Sequence, residues 1–230
     1  TVSAGTLNLN KTAGTDAIAG NLTVSGGSVV LQAANQIKNT ANVVVSGGTL
    51  DIGANDETVN NVKMTSGSLL GTSGTLSSGT AFDMQGGSAG AILGGTAGLT
   101  ASAGTTTLSK ANTYTGTTTV SGGTLNVSGT LAAAGSLVVS GGTFDLQTNT
   151  QQFAGVQQTG GTIQNGTVTL NAGNYDLQGG TVSAVLAGTA GANVTVGTTT
   201  YSGSGANTYA GLTTVSAGTL NLNKTAGTDA

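Results

Sequence analysis

A ten-residue template returns along this chain roughly every nineteen residues, and it limits the folds available more than any other feature. The segments LTVSGGSVVLQ (Leu22–Gln32), VVVSGGTLDIG (Val43–Gly53) and LVVSGGTFDLQ (Leu137–Gln147) share the form h-x-h-S-G-G-T/S-h-x-h, where h is apolar. TTVSGGTLNV (Thr118–Val127), VKMTSGSLLG (Val62–Gly71) and FDMQGGSAG (Phe82–Gly90) are degraded copies. Taking the second Gly, or its equivalent, as marker gives Gly5, Gly27, Gly48, Gly67, Gly87, Gly104, Gly123, Gly142, Gly161, Gly180, Gly197 and Gly218. Successive markers are separated by seventeen to twenty-two positions, most often nineteen. Gly104, Gly180 and Gly197 match the template least well.

A longer period encloses the short one. The first seventeen residues, TVSAGTLNLNKTAGTDA, are repeated letter for letter as Thr214–Ala230, so the text of Thr1 begins again at Thr214. Chance does not produce such an identity, and repetition on this scale decides architecture before any local feature does. The expectation is a single continuous unit over 1–230, a window on a tandem array in which 1–213 is one repeat. The likeness of TVSGGTLNV at Thr119 to TVSAGTLNL at Thr1 divides that repeat into six short units and then five.

Each short unit carries two apolar-x-apolar runs flanking the Gly pair. Alternation with period two puts both apolar residues of a run on one face of a strand. Gly tolerates positive φ and close backbone approach, which suits a sharp corner. The predicted structural corners are Gly26 and Gly27, Gly47 and Gly48, Gly122 and Gly123, Gly141 and Gly142, and Gly160 and Gly161. Two folds satisfy the local pattern. A Gly-Gly hairpin loop would give an antiparallel meander or barrel. In a β-solenoid each unit makes one full coil, and like positions stack into parallel strands around an apolar interior. Unit length, continuation of the array beyond both ends and one Gly corner per unit favour the solenoid. The predicted class is therefore all-β, with about eleven coils in each long repeat. At about 4.8 Å per coil, one long repeat would rise about 50 Å.

Composition narrows the function classes. Gly contributes 41 of 230 residues, only 6% are charged, and Pro, Trp, Cys, His and Arg are absent. A net charge of −3 with regularly spaced β-branched residues argues against disorder. Five scattered Lys residues cannot form the basic stripe that nucleic acid requires. No apolar run approaches the length that spans a bilayer, so no membrane insertion of this segment is expected. There is no starting Met or signal peptide, as expected if both ends are internal. Absence of Cys suits a chain that crosses an oxidising compartment.

The stretch GTTTLSKANTYTGTTTVSGGTLNV (Gly104–Val127) resembles the autotransporter-associated β-strand repeat of bacterial type V secreted passengers. L-S-x-A-N-T-Y-T-G, T-T-V-S-G-G-T-L and the spacing between them carry the likeness. A second copy spans Gly197–Leu222. The resemblance implies a right-handed parallel β-helix at the extracellular, bacterial cell surface. It implies little about activity, because such passengers include adhesins, enzymes and inert stalks. The repeat-motif turn residues are Asn112 and Tyr114, and Asn207 and Tyr209. The Asn side chains would bond neighbouring backbone; alternatively, the Tyr side chains would contact a sugar or partner.

Candidate chemistry is sparse. Asp51, Asp145 and Asp176 occupy the same context, between two apolar residues, in a slot that holds Asn8, Asn126 and Asn221 elsewhere. That slot reads as an outward polar position; the alternative is a carboxylate cluster of the glycan-cleaving kind. The separation of Asp145 from Asp176 is not a whole number of coils, so they need not stack. Asp56-Glu57 is the one acidic pair and reads as a solvated loop, or as a loose cation site. No metal site can be built from His or Cys, and no cofactor is expected. The triplets Thr105–Thr107, Thr117–Thr119 and Thr198–Thr200 are too intermittent for the flat T-x-T array of an ice-binding surface. The functional expectation is a non-enzymatic rod module of an extracellular fibre or giant adhesin-like surface protein. Its partners would be further tandem copies, with lateral self-association. The alternative is an adhesin domain for a surface glycan or host protein; a glycan-active enzyme ranks below both.

Overall fold

The computed structural model describes residues 1–230 and contains strands, turns and bends without a helix. Its ladders are parallel, and each joins one coil to the next, as the solenoid reading requires and the hairpin reading forbids. The chain winds past three faces per coil. The first face carries Leu22–Val24, Phe82–Met84, Leu99–Ala101, Thr118–Val120 and Ser136–Val139, with their stacked equivalents. The second carries the segment after the Gly pair. Eleven successive pairings connect Thr6–Leu9 at one end of it to Thr219–Leu222 at the other, so the chain makes eleven turns. The third face is shorter and more broken. It includes Glu57–Val59, Thr150–Phe153, Thr167–Leu170 and Val185–Ala187.

Alternation in the sequence becomes alternation in space. In Ser28–Leu31, Val29 and Leu31 are buried while Ser28 and Val30 are half-exposed, and Thr124–Val127 repeats the pattern with Leu125 and Val127. Stacking turns these inward residues into columns such as Leu50–Leu69–Ala89–Leu108–Val127. The columns merge into one apolar interior of 47 buried residues. A fully buried Leu or Val contributes about 1.5–3 kcal/mol relative to exposure, so the stacked interior is the main stabilising term. Three aromatic pairs thicken it: Phe82–Tyr114, Phe144–Phe153 and Tyr175–Tyr209, with ring centres 6.0–6.2 Å apart.

The Gly pairs turn the chain from the first face to the second, for two different physical reasons. Gly123, Gly142 and Gly161 adopt φ of 63°, 62° and 66°, a region that favours glycine. Gly27 and Gly48 do not have positive φ. There a side chain is excluded by proximity, since a Cβ on Gly27 would collide with the Gly5 carbonyl oxygen and one on Gly48 with the Gly27 carbonyl. Gly26, Gly47, Gly122, Gly141 and Gly160 likewise press against the Ser carbonyls of the coil beneath: Ser3, Ser25, Ser102, Ser121 and Ser140. Gly47 and Gly48 lie inside a continuous strand, Asn42–Asp51, whose register shifts around Ser46, so this corner is a bulged bend.

Two marker intervals need correction. The steps of seventeen hold on the first face, where Phe82–Met84 pairs with Leu99–Ala101 and Leu177 with Val194. On the second face, however, Gly87 pairs with Thr106 rather than Gly104, and Gly180 with Thr199 rather than Gly197. The ladder thus slips by two positions at each place. Both slips sit at Gly pairs of a separate conformation, Gly86 and Gly87 at φ 154° and 104°, and Gly179 and Gly180 at 158° and 97°. Such values are open to glycine almost alone, so these corners span fewer residues than those that follow them.

Candidate functional site

The A-N-T-Y corners reach the third face, where Asn112 and Tyr114 both point inward. Asn112 Oδ1 accepts from Leu93 N at 3.0 Å, and Nδ2 donates to the carbonyls of Lys110 (2.9 Å) and Thr130 (3.3 Å). One side chain therefore binds the coil before it, its own coil and the coil after it. Tyr114 is buried, with its hydroxyl 2.8 Å from Thr118 Oγ1, and burial pushes that phenol well above its usual range. It has no face to offer a ligand. In the second copy Asn207 Oδ1 accepts from Leu186 N at 3.0 Å and Tyr209 O–H lies 2.7 Å from Thr213 Oγ1, while Asn207 Nδ2 has no partner. Tyr209 stays partly exposed and packs against Tyr175. The Tyr175 hydroxyl donates to backbone carbonyls, and burial pushes its pKa up to about 12.

Of the acidic pair, Glu57 departs from the reading of a solvated loop or cation site. Glu57 begins a third-face strand and is 1% exposed. Its Oε2 accepts from Gln36 N (2.7 Å) and Ile37 N (3.2 Å), and Oε1 from Thr58 N (3.2 Å). Burial raises its pKa above the ordinary value, the three N–H donors oppose that shift, and Asp16 adds repulsion. A carboxylate whose oxygens are spent on backbone donors is a rivet between coils. Asp56 is exposed, with Oδ1 accepting from Thr75 N at 2.8 Å.

Sequence reasoning missed that Glu57 and Asn112 belong to one set. Gln151, also buried, accepts from Leu131 N at 2.8 Å through Oε1 and returns Nε2 to Leu131 O at 2.9 Å. Glu57, Asn112, Gln151 and Asn207 each satisfy a backbone N–H in the preceding coil. The available signal was the polar-x-apolar order shared by Glu57-x-Val59, Asn112-x-Tyr114, Gln151-x-Phe153 and Asn207-x-Tyr209.

The remaining carboxylates are dispersed. Asp145 stacks on the second face between Asn126 and Gln164, whereas Asp176 stacks between Gln157 and Asn193 on the first. They occupy different faces and cannot act as a pair. Asp51 Oδ1 accepts from Gly53 N at 2.8 Å, and Asp83 meets Lys63 at 3.3 Å in an exposed ion pair. Nor do the Thr triplets form an outer array. Thr106, Thr118 and Thr199 face inward, and the Thr106 and Thr199 hydroxyls lack partners.

Two surfaces remain conspicuous: the coils at either end. Leu9 in the first coil is 3% exposed beneath the strand Ser28–Leu31. Its duplicate in the last coil, Leu222, is 65% exposed, and Val215 and Leu212 beside it are also open. The last coil still pairs downward, Thr219–Leu222 on Thr198–Tyr201, but its upper backbone edge and apolar residues have no neighbour.

Residues 101–127 and 197–222 match the family model of the passenger-associated-transport-repeat. No curated protein and no solved structure matches the chain. Both matched segments begin at or beside a two-position slip and run through an A-N-T-Y corner to the next Gly corner. The chain is a parallel β-solenoid of about eleven turns, and two of its segments match this transport-associated repeat.

Proposed function

We propose that the chain is a rod-forming structural module of a secreted, surface-displayed protein, its length set by tandem copies of the long repeat. The observation that carries this reading is the duplicated end coil. One seventeen-residue text forms both the first and last coils, so a coil built from Ile18 onward is complementary to the open edge of Thr219–Leu222, as it already is to Thr6–Leu9. Overlaying the last coil of one copy on the first of another continues every column without a seam. The role is mechanical rather than catalytic. Backbone ladders run along the axis, the inward columns resist bending, and a polar exterior with few charges limits repulsion between neighbouring rods. The passenger-associated repeats support export to the cell surface.

The test is a two-copy chain in which the repeats share one seventeen-residue coil. Electron microscopy or small-angle scattering of one-copy and two-copy proteins gives the axial length. The expected increment is about 50 Å at unchanged cross-section, from eleven coils at about 4.8 Å each. An increment that widens the particle instead would remove the rod.

A further inference from the structure

We propose that a recess on the corner between the second and third faces is a binding site for a short segment of uncharged glycan, carried on the side of the rod. The recess encloses about 420 Å³ and is lined by Gln147, Asn165, Ser183, Val185 and the loop Gly203–Gly205. Its origin lies in the changing length of one connection. Four residues, Leu146–Asn149, separate the second-face strand from the third after Asp145; two, Asn165 and Gly166, do so in the next coil. Two again, Ser183 and Ala184, do so in the coil after that, before the chain widens through Gly203–Gly205. Successive corners thus draw in and swell out, leaving a notch three coils tall. Its volume falls within the range of small-ligand sites.

The notch is built with side chains where the fold alone needs none. Asp51-Ile52-Gly53 and Asp145-Leu146-Gln147 form the same turn, in which the Asp Oδ1 accepts from the backbone N–H two residues on, at 2.8 Å and 2.7 Å. Both third residues are left-handed, at φ 56°. Gly53 accepts that conformation freely; Gln147 is strained by it. Asn165, another left-handed residue, lines the same recess. Only three residues other than glycine have positive φ, and two of them are here, where such strain can mark a ligand site. What Gln147 adds is an exposed carboxamide at the rim.

The chemistry selects the ligand class. Asp145 is 7% exposed, and its oxygens accept from Gln147 N, Asn165 Nδ2 and Gln164 Nε2 at 2.7–2.8 Å. Lys224 Nζ is spent on the carbonyls of Ser202 and Gly205. Both local charges are engaged within the protein. Asn165 Oδ1 and the hydroxyls of Ser183 and Ser204 are left as uncharged donors and acceptors, with Val185 as one apolar patch, beside the exposed Gln147 amide that also leans on Asp145. A ring bearing hydroxyls on its edge and C–H groups on its face meets that arrangement. An acidic sugar would be disfavoured by the carboxylate of Asp145, which lies behind Asn165.

The inference is independent of the rod, because one chain suffices to test it. Maltotriose, cellotriose, tri-N-acetylchitotriose and trigalacturonate are titrated separately into the ¹⁵N-labelled chain, following the side-chain amide signals of Gln147 and Asn165. At least one neutral trisaccharide is expected to shift both signals saturably. Gln147→Gly, which installs the residue that the sister turn already uses, should fold at least as stably and weaken that affinity by about tenfold, the loss of one hydrogen bond. The proposal is overturned if no neutral trisaccharide gives a saturable shift, if trigalacturonate alone binds, or if Gln147→Gly binds as tightly as the parent.

Discussion

Leu9 and Leu222 are the same residue of one duplicated text, yet the first is 3% exposed and the second 65%. Sequence, strand and coil are alike; the difference is whether another coil lies above. Leu9→Ala should destabilise the first coil by about 3 kcal/mol, as large-to-small changes in packed interiors do. Leu222→Ala in the single chain should cost less than about 0.5 kcal/mol. Hydrogen exchange resolved by coil measures both. In the two-copy protein the Leu222 position acquires a coil above it and should become as costly as Leu9.

A corner glycine and an unconstrained one separate by substitution. Gly123 combines φ 63° with a carbonyl wall formed by Gly104 and Ala103, so Gly123→Ala should cost more than about 2 kcal/mol. Gly20 has neither positive φ nor a neighbour within 4 Å of its would-be Cβ, and Gly20→Ala should stay within about 0.5 kcal/mol of the parent. Thermal unfolding of the two variants side by side checks the contrast; equal losses would contradict the assignment of Gly123 to a steric corner.

Asn112 and Asn207 occupy the same motif with unequal bonding. Asn112 makes three hydrogen bonds across three coils, whereas Asn207 makes one, with its Nδ2 unpartnered. Replacing Asn112 with Ala strands Leu93 N in the interior and should cost about 2–4 kcal/mol. The same change at Asn207 should cost about half as much or less. Denaturant titration of the two variants gives the comparison.

Two buried carboxylates oppose each other in their pH dependence. The folded pKa of Glu57 is raised above 4.5, chiefly by burial, so the fold binds its proton more tightly than the unfolded chain does. Its contribution is therefore complete below 4.5 and declines as pH rises through the folded value. For Asp145, burial raises the pKa, but hydrogen bonds from Asn165, Gln164 and Gln147 outweigh it, and the net shift is below 3.8. That stabilisation is complete above 3.8 and is lost as pH falls through the folded value. Glu57→Gln should flatten the first slope and Asp145→Asn the second, as read from unfolding midpoints between about pH 2 and 7.

Much of the fold was legible because solenoid coils are short and local. The order Val43-x-Val45 and Leu50-x-Ile52 around Gly47-Gly48 states which residues face inward, and stacking copies the statement upward. The slips at Thr106 and Thr199 were not legible, because a marker glycine reports where the chain turns, while the next ladder depends on how many residues the turn consumes. Glu57 was misread for a related reason. Its charge suggests water, and only the third-face stack reveals that three backbone N–H groups surround it. The structural reading of the Asn112-Thr113-Tyr114 turn left contact by Tyr114 open as an alternative, because an aromatic ring in a polar motif carries no mark of which side it faces.

The ladders described above run along the axis, so tension applied between the two ends falls on them one coil at a time, as in opening a zipper. Each coil that lets go frees about nineteen residues, which span about 65 Å when extended, in place of the roughly 5 Å they occupied. A strand of such coils is thus a reserve of slack, since it lengthens more than tenfold wherever a coil yields.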